Sequence, residues 1–244
     1  MKQFGHKPFF LSEKNDYLCP KLSIMNELIG ILQNFKGATV EKSQLEERLV
    51  DLDRQFKEIA TYLITGGYLL CNNKYRLYIT SVEFYYHEEE KRDGRIEDPI
   101  MYHRNKWNNY IRREEEFEYF PIGTFYPHES GVDITFESPG KYRASALIRE
   151  FYITRADNPN EHHNCKYYSP SAGWGKERSI DIRPSYVYEW LFNGLEMGKS
   201  TFTWKEEMNV SVKLDPIPKA RINVYAKTEG AEEMRNRQWR YTIL

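Results

Sequence analysis

Apolar side chains recur at helical spacing near the start of the chain. Leu22, Met25, Leu28, Ile29, Leu32 and Phe35 fall on one face, and Gly37 is positioned to end that helix. Ser43 with Glu46 three residues on has capping-box form and opens a second helical run. Asp53 to Ile64 continues as a helix closed by Gly66 and Gly67. The period then changes from helical to alternating. Y-L-L-C, the turn N-N-K and Y-R-L-Y-I-T-S-V-E-F-Y-Y predict a hairpin. A charged loop from His87 to about Pro121 follows, and its blocks E-E-E-K-R-D and R-R-E-E-E-F-E read as solvated faces. Extended runs resume at G-T-F-Y, G-V-D-I-T-F-E and Y-R-A-S-A-L-I-R-E-F-Y-I, the last two joined by the turn S-P-G-K. D-N-P-N-E-H-H-N-C-K reads as a long surface loop. Pro184 opens a helix, S-Y-V-Y-E-W-L-F-N, that ends at Gly194. Four alternating runs complete the chain: T-F-T-W-K, V-S-V-K-L, A-R-I-N-V-Y-A and Q-W-R-Y-T-I. Helices early and antiparallel strands later predict an α+β fold with a curved sheet.

Composition adds bounds to this picture. The chain has 244 residues, 40% hydrophobic and 29% charged, enough apolar content for a sizeable core. The net charge of -1 gives no global pull toward nucleic acid. The charge is uneven: Lys141–Leu244 carries a balance of +4 and the preceding residues one of -5, so a basic face is compatible with the sequence. Cys19, Cys71 and Cys165 are far apart and odd in number, which suits free thiols in a reducing compartment. M-K-Q-F-G-H-K-P-F-F lacks the apolar core of a signal peptide, and no run of about 18 apolar residues would span a bilayer. The expectation is a cytoplasmic protein with no membrane partner.

Glu83 stands out. Strict alternation along the strand places Leu77, Ile79, Ser81, Glu83 and Tyr85 on one face, and Tyr78, Thr80, Val82, Phe84 and Tyr86 on the other. Neither face is polar enough to be fully solvated, so Glu83 is expected in an enclosed setting. Two roles fit such a carboxylate: a structural partner of an arginine such as Arg149, or a functional group in a cleft.

A collinear set of fragments resembles the alkyladenine (3-methyladenine) DNA glycosylase family. L-D-R-Q-F-K-E-I-A-T-Y-L-I-T-G-G-Y-L-L is similar to that family's opening helix and first strand. I-T-S-V-E-F-Y-Y is similar to its V-E-T-E-A-Y strand, and P-I-M-Y-H-R-N to the segment holding its pocket histidine. P-I-G-T-F-Y-P-H resembles P-G-T-L-Y-V-Y, and A-S-A-L-I-R-E-F resembles V-L-L-R-A-L. R-I-N-V-Y-A through Q-W-R-Y-T-I resembles the family's R-I-G-V…W-R-F-Y end, and G-W-G-K resembles its G-P-G-K. The likeness spans about residues 50 to 244. It implies residues 1–50 as an N-terminal tail and helical extension, and 51–244 as one glycosylase-like α+β domain.

The resemblance also implies a function: hydrolysis of the N-glycosidic bond of a damaged or alkylated purine flipped from DNA, or from single-stranded nucleic acid. Glu83 would activate the water. Tyr85, His103, His128 and Glu137 would line the base pocket, His128 standing where the family has a stacking tyrosine and Glu137 where it has a selecting asparagine. Arg149 would support Glu83 or contact a phosphate, and Gly173, Gly175 and Lys176 would touch the DNA backbone. No metal and no cofactor are implied. The chain departs from the family where a bulky side chain wedges into the duplex: around Glu129–Gly131 it is two residues shorter, with Ser130 the nearest counterpart. Asp133 stands where the family has an aromatic residue. These departures keep two other classes open, a repurposed relative that binds a nucleobase or nucleic acid without excision, and a nucleoside hydrolase.

Three further clusters carry candidate chemistry. His162, His163 and Cys165 invite a zinc reading, yet no second ligand cluster accompanies them. G-W-G-K lacks the spacing and trailing hydroxyl of a P-loop and fits either a backbone–phosphate contact or a tight turn around Trp174. Arg235, Arg237 and Arg240 alternate with Trp239 and Tyr241, the pattern of a phosphate-facing or a protected edge strand.

Overall fold

The computed structural model describes residues 26–38, 44–108, 112–128, 131–158, 162–165, 202–207, 215–222 and 230–243. Within them the fold is α+β: a curled antiparallel sheet with a few helices. Helix α1 spans Asn26–Gln33 and α2 spans Leu45–Thr65. The two helical runs expected on either side of Asp53 are thus one continuous helix, because no residue between them breaks the apolar stripe. Leu49, Leu52, Phe56, Ile59 and Leu63 of that stripe are all buried, each contributing about 1.5–3 kcal/mol. Ser43 lies outside the described residues, and Gln44 occupies the N-cap without a side-chain bond. Gly37, at φ +69°, takes the left-handed conformation expected of a helix stop, with Tyr142 and Tyr86 so close that a Cβ would collide. Leu28, Leu32 and Phe35 share one core with α2 and the sheet. The boundary at residue 50 therefore falls inside a helix that belongs to the domain.

Strands β1 (Gly67–Cys71) and β2 (Tyr75–Glu88) form the expected hairpin. Its turn residues Asn72 and Asn73 have φ of 50° and 57°, the left-handed pair that matches strand twist. The supposed charged loop contains a small hairpin, β3 (Lys106–Asn108) with β4 (Arg113–Glu115). Its first block is not solvated throughout. His87 and Glu88 are buried, and Glu88 is held by Arg48, by Arg92 at 2.7 Å and by the Ile96 N–H at 2.9 Å.

Next come β5 (Phe125–His128), β6 (Gly131–Thr135), β7 (Tyr142–Arg155), β8 (His162–Cys165), β9 (Phe202–Glu206), β10 (Ile217–Lys219) and β11 (Arg240–Thr242). The polar run read as a loop thus contains β8, which pairs with β7; an open strand edge, rather than β propensity, recruits it. Ala220–Ile222 is not strand, and a short helix α3 (Ala231–Asn236) precedes β11. The V-S-V-K-L strand and the helix at Pro184 lie outside the described residues.

The two fourteen-residue strands β2 and β7 pair along their whole length and serve two sets of neighbours. One half of the sheet runs β9-β1-β2-β7-β8, and the other β10-β11-β2-β7-β6-β5. Register shifts at Ile79/Ser81 and Ser81/Val82 mark where one half gives way to the other. Each strand carries an extra residue there, Thr80 on β2 and Arg149 on β7, and both reverse their facing. Leu77 and Ile79 point into the core before the shift, and Val82, Phe84 and Tyr86 after it. Strict alternation from Leu77 to Tyr85 is therefore incorrect: Glu83 and Tyr85 lie opposite the face that Leu77 and Ile79 share with α2.

Candidate functional site

Beyond the double bulge, the face turned away from α2 carries a row of directly paired residues. Register places Lys219 beside Arg240, Arg240 beside Glu83, Glu83 beside Leu147, Leu147 beside Asp133 and Asp133 beside Tyr126. Neighbouring strands lie about 4.8 Å apart, so Glu83 and Asp133 sit about 10 Å from each other with Leu147 between them.

Glu83 is fully buried, at 0% exposure. Its Oε1 accepts from the Tyr85 hydroxyl at 2.6 Å and from Arg149 Nη2 at 2.5 Å. Its Oε2 accepts from the Ile222 N–H at 2.9 Å. Arg149 Nη2 also reaches Tyr85 Oη and the Ile222 carbonyl, each at 3.0 Å. The bulge is what makes this possible, since the extra residue on β7 is Arg149 itself. Burial, then the neighbouring carboxylate, push the Tyr85 phenol well above its ordinary pKa, so it stays a hydrogen-bond donor.

A second layer fixes these groups. Arg221, adjacent in sequence to Ile222, is buried against Asp98 at 2.6 Å and donates to the Met234 carbonyl at 2.6 and 2.9 Å. Its guanidinium lies 5.0 Å from the Tyr85 ring and 5.4 Å from the Trp239 ring. The same arginine therefore ties down the segment that delivers the Ile222 N–H, packs against Tyr85, and anchors the stretch leading to Met101 and His103.

His103, also at 0% exposure, forms a separate cluster. Its Nδ1 lies 2.6 Å from Glu137 Oε1 and its Nε2 lies 3.3 Å from Asp133 Oδ2. Neither ring N–H is aligned for a linear hydrogen bond, so these are ion contacts in character. Burial disfavours the imidazolium, but the two flanking carboxylates outweigh it and raise the His103 pKa to about 9. Phe120 and Tyr126 meet the ring edge-on, with centroids at 5.8 and 5.5 Å. Glu137 also accepts from the Phe120 N–H at 2.8 Å and lies 3.5 Å from Arg143 Nη1. Tyr85, Met101 and Leu147 pack together between this cluster and Glu83.

Of the residues expected to form a site, Glu83, Tyr85 and Arg149 make one bonded group, and His103 and Glu137 make a second. His128 lies on β5 opposite Gly131, and its side chain is outside the described residues. Ser130, Gly173, Gly175 and Lys176 are outside them as well. Asp133, Phe120, Tyr126, Asp98 and Arg221 were not among the expected site residues. Asp133 carried a usable signal: in D-I-T-F-E, Asp133, Thr135 and Glu137 share one strand face. Asp98 and Arg221 are 123 positions apart, and nothing local links them. Among the described residues, no group of three or more His, Cys, Asp or Glu side chains could hold a metal ion, and no helix is long and apolar enough to cross a membrane. Comparison of the chain with protein-family models, curated proteins and solved structures returns no match.

Proposed function

We propose that the protein hydrolyses the N-glycosidic bond of a damaged or alkylated purine extruded from DNA, as the resemblance to alkyladenine DNA glycosylases implies. The curled antiparallel sheet is read here as that family's single-domain fold, working on DNA in the cytoplasm. The observation that carries the reading is Glu83: a carboxylate at the centre of the sheet, oriented by Arg149, Tyr85 and the Ile222 N–H. In this reading a water attacks the sugar C1′ and passes its proton to Glu83, while the purine leaves with the bonding electron pair. The transition state resembles an oxocarbenium ion, which the adjacent carboxylate stabilises electrostatically. The flipped base would lie along the face between Tyr85 and the aromatic pair Phe120 and Tyr126, where ring stacking holds an extruded base.

A second reading is favoured by one observation: Glu83 is fully buried, and both its oxygens already accept hydrogen bonds. A carboxylate so placed suits a relative that keeps the fold and binds a nucleobase or nucleic acid without excising it. The test is base release from duplexes carrying hypoxanthine, ethenoadenine or alkylated purines, with wild type beside Glu83→Gln. Excision predicts release by wild type and a fall of about 10²-fold or more in the variant. No release on any substrate, from protein shown to be folded, would select the binding reading.

A further inference from the structure

Three arginines near the C-terminus look alike in sequence, but their surroundings differ. Arg235 is paired with Glu232 at 3.3 Å and Arg237 with Glu233 at 2.6 Å, both within or beside α3. Arg240 is different. Its Nε donates to the Ala220 carbonyl at 3.2 Å, and among the described residues no carboxylate lies within ion-pair distance of its guanidinium. It is half-buried, sits directly across the strand pair from Glu83, and has Lys219 on its other side. Glu83, Glu150 and Arg149 are the charged groups acting on it. Glu83 is already bonded to Arg149, so Arg240 is the cation beside it that holds no carboxylate at ion-pair distance among the described residues.

We propose that Arg240, with Lys219 beside it, holds a phosphate of the nucleotide whose glycosidic bond faces Glu83. Arg240 would thereby be a specificity-determining residue that separates phosphorylated substrates from free nucleosides. The inference rests on reading Glu83 as the residue that meets the sugar. Arg240 lies one strand spacing from Glu83, about 5 Å, and Lys219 a further spacing beyond. A sugar placed over Glu83 therefore directs a phosphate substituent toward these cations or toward Leu147. Leu147 offers no charge, so of these two neighbours the cationic side is the one that can pair with it. The guanidinium fork, already oriented through its Nε by the Ala220 carbonyl, matches phosphate geometry and is partly desolvated before binding. Two sources share this chemistry, the phosphodiester backbone of a polynucleotide and the terminal phosphate of a free mononucleotide.

The experiment measures binding by the full chain to three probes: a duplex with a stable abasic-site analogue, inosine 5′-monophosphate and inosine. Wild type, Arg240→Gln, Arg240→Lys, Lys219→Gln and Arg235→Gln are compared over a salt series, each with its melting temperature. Arg235→Gln removes the same charge from the surface of α3 and controls for net charge. The expected result is a roughly 10-fold loss of duplex affinity in Arg240→Gln. The slope of log K against log salt should fall by about one phosphate contact, with a smaller loss in Lys219→Gln. Arg240→Lys should keep the slope while losing affinity, and Arg235→Gln should resemble wild type. An Arg240-dependent preference for the monophosphate over inosine, without duplex binding, would assign the phosphate to a free nucleotide. Equal effects of Arg240→Gln and Arg235→Gln would overturn the proposal, as would wild type that neither binds the duplex nor prefers the monophosphate. The outcomes also separate this inference from the one it rests on. An Arg240-specific slope without base release keeps the phosphate contact and removes the general base, whereas base release with an unchanged slope removes only the role of Arg240.

Discussion

The group around Glu83 makes a quantitative demand on stability. Replacing Glu83 with Gln keeps the shape and one acceptor oxygen but removes the carboxylate charge that Arg149, itself only 3% exposed, faces at 2.5 Å. Breaking a buried ion pair from one side costs about 3–5 kcal/mol, because the remaining charge stays desolvated. The retained amide oxygen places the expected loss near the lower end, at about 3 kcal/mol. For a chain of this size that corresponds to a fall in Tm of about 6–12 °C. The double variant Glu83→Gln/Arg149→Met removes the cation as well, while the Tyr85 hydroxyl and the Ile222 N–H can still bond the Gln oxygen. It should therefore be more stable than the sum of the two single losses by about 1–3 kcal/mol. Urea denaturation of the four proteins, followed by circular dichroism and by fluorescence of the buried Trp239, measures the cycle. Additivity within about 0.5 kcal/mol, or a loss below about 1 kcal/mol in Glu83→Gln, would refute the reasoning. Either result would mean that Glu83 and Arg149 are not locked together in solution, and that the carboxylate is hydrated in the resting protein.

Two further outcomes follow from other parts of the molecule. His103 faces Asp133 and Glu137, with Arg143 behind Glu137, and its pKa is raised from 6.5 to about 9. Its contribution is therefore complete below about pH 6.5 and is lost as the pH rises through about 9, amounting to at most about 3 kcal/mol. The stability gap between wild type and His103→Gln should accordingly narrow between about pH 7 and pH 10, and a gap independent of pH would show that the cluster does not hold the proton. Gly67 admits no side chain, since a Cβ there would lie 2.0 Å from the Lys205 carbonyl oxygen across the β1–β9 ladder. Gly67→Ala should destabilise the protein by about 2–3 kcal/mol and abolish hydrogen-exchange protection along β1. Unchanged protection would contradict the close approach of the two strands.

Much of the architecture was legible because it is local. The stripe of α2 repeats often enough to be unmistakable, and the Asn72–Asn73 turn and the Gly37 stop each depend on a single backbone conformation that few residues adopt. The misses share one cause, which is that the determining partner is remote. His162–Cys165 is polar and becomes strand because β7 offers it an unpaired edge. Glu88 looks solvated until Arg48, forty positions earlier, closes over it. The double bulge could not be read from β2 alone, since Thr80 is displaced only in concert with Arg149 on β7. That one irregularity decides the candidate site. Had β2 and β7 alternated without interruption, a face holding Leu77 and Ile79 toward α2 would also have turned Glu83 toward α2.

The order of charges along the sheet accounts for how two buried carboxylates coexist on one face. Placing an ionised carboxyl in an apolar interior is prohibitive unless a cation and hydrogen bonds accompany it. The groups around Glu83 and Asp133 are separate from one another, although Asp133 shares His103 with Glu137. Glu83 has Arg149, Tyr85 and the Ile222 N–H, while Asp133 has His103 and the Ser145 hydroxyl at 3.1 Å. Leu147 stands between them as an uncharged spacer, so neither group leans on the other's cation. The hydrogen bonds that hold Glu83 are therefore distinct from the contacts of the His103 cluster. In a glycosylase the base that accepts the water's proton would then be held separately from the wall that receives the purine. In a binding protein the same separation fixes two charged anchor points on either side of one apolar contact. The two readings of the function thus require the same charge layout, and they differ only in whether a water reaches the Glu83 oxygens.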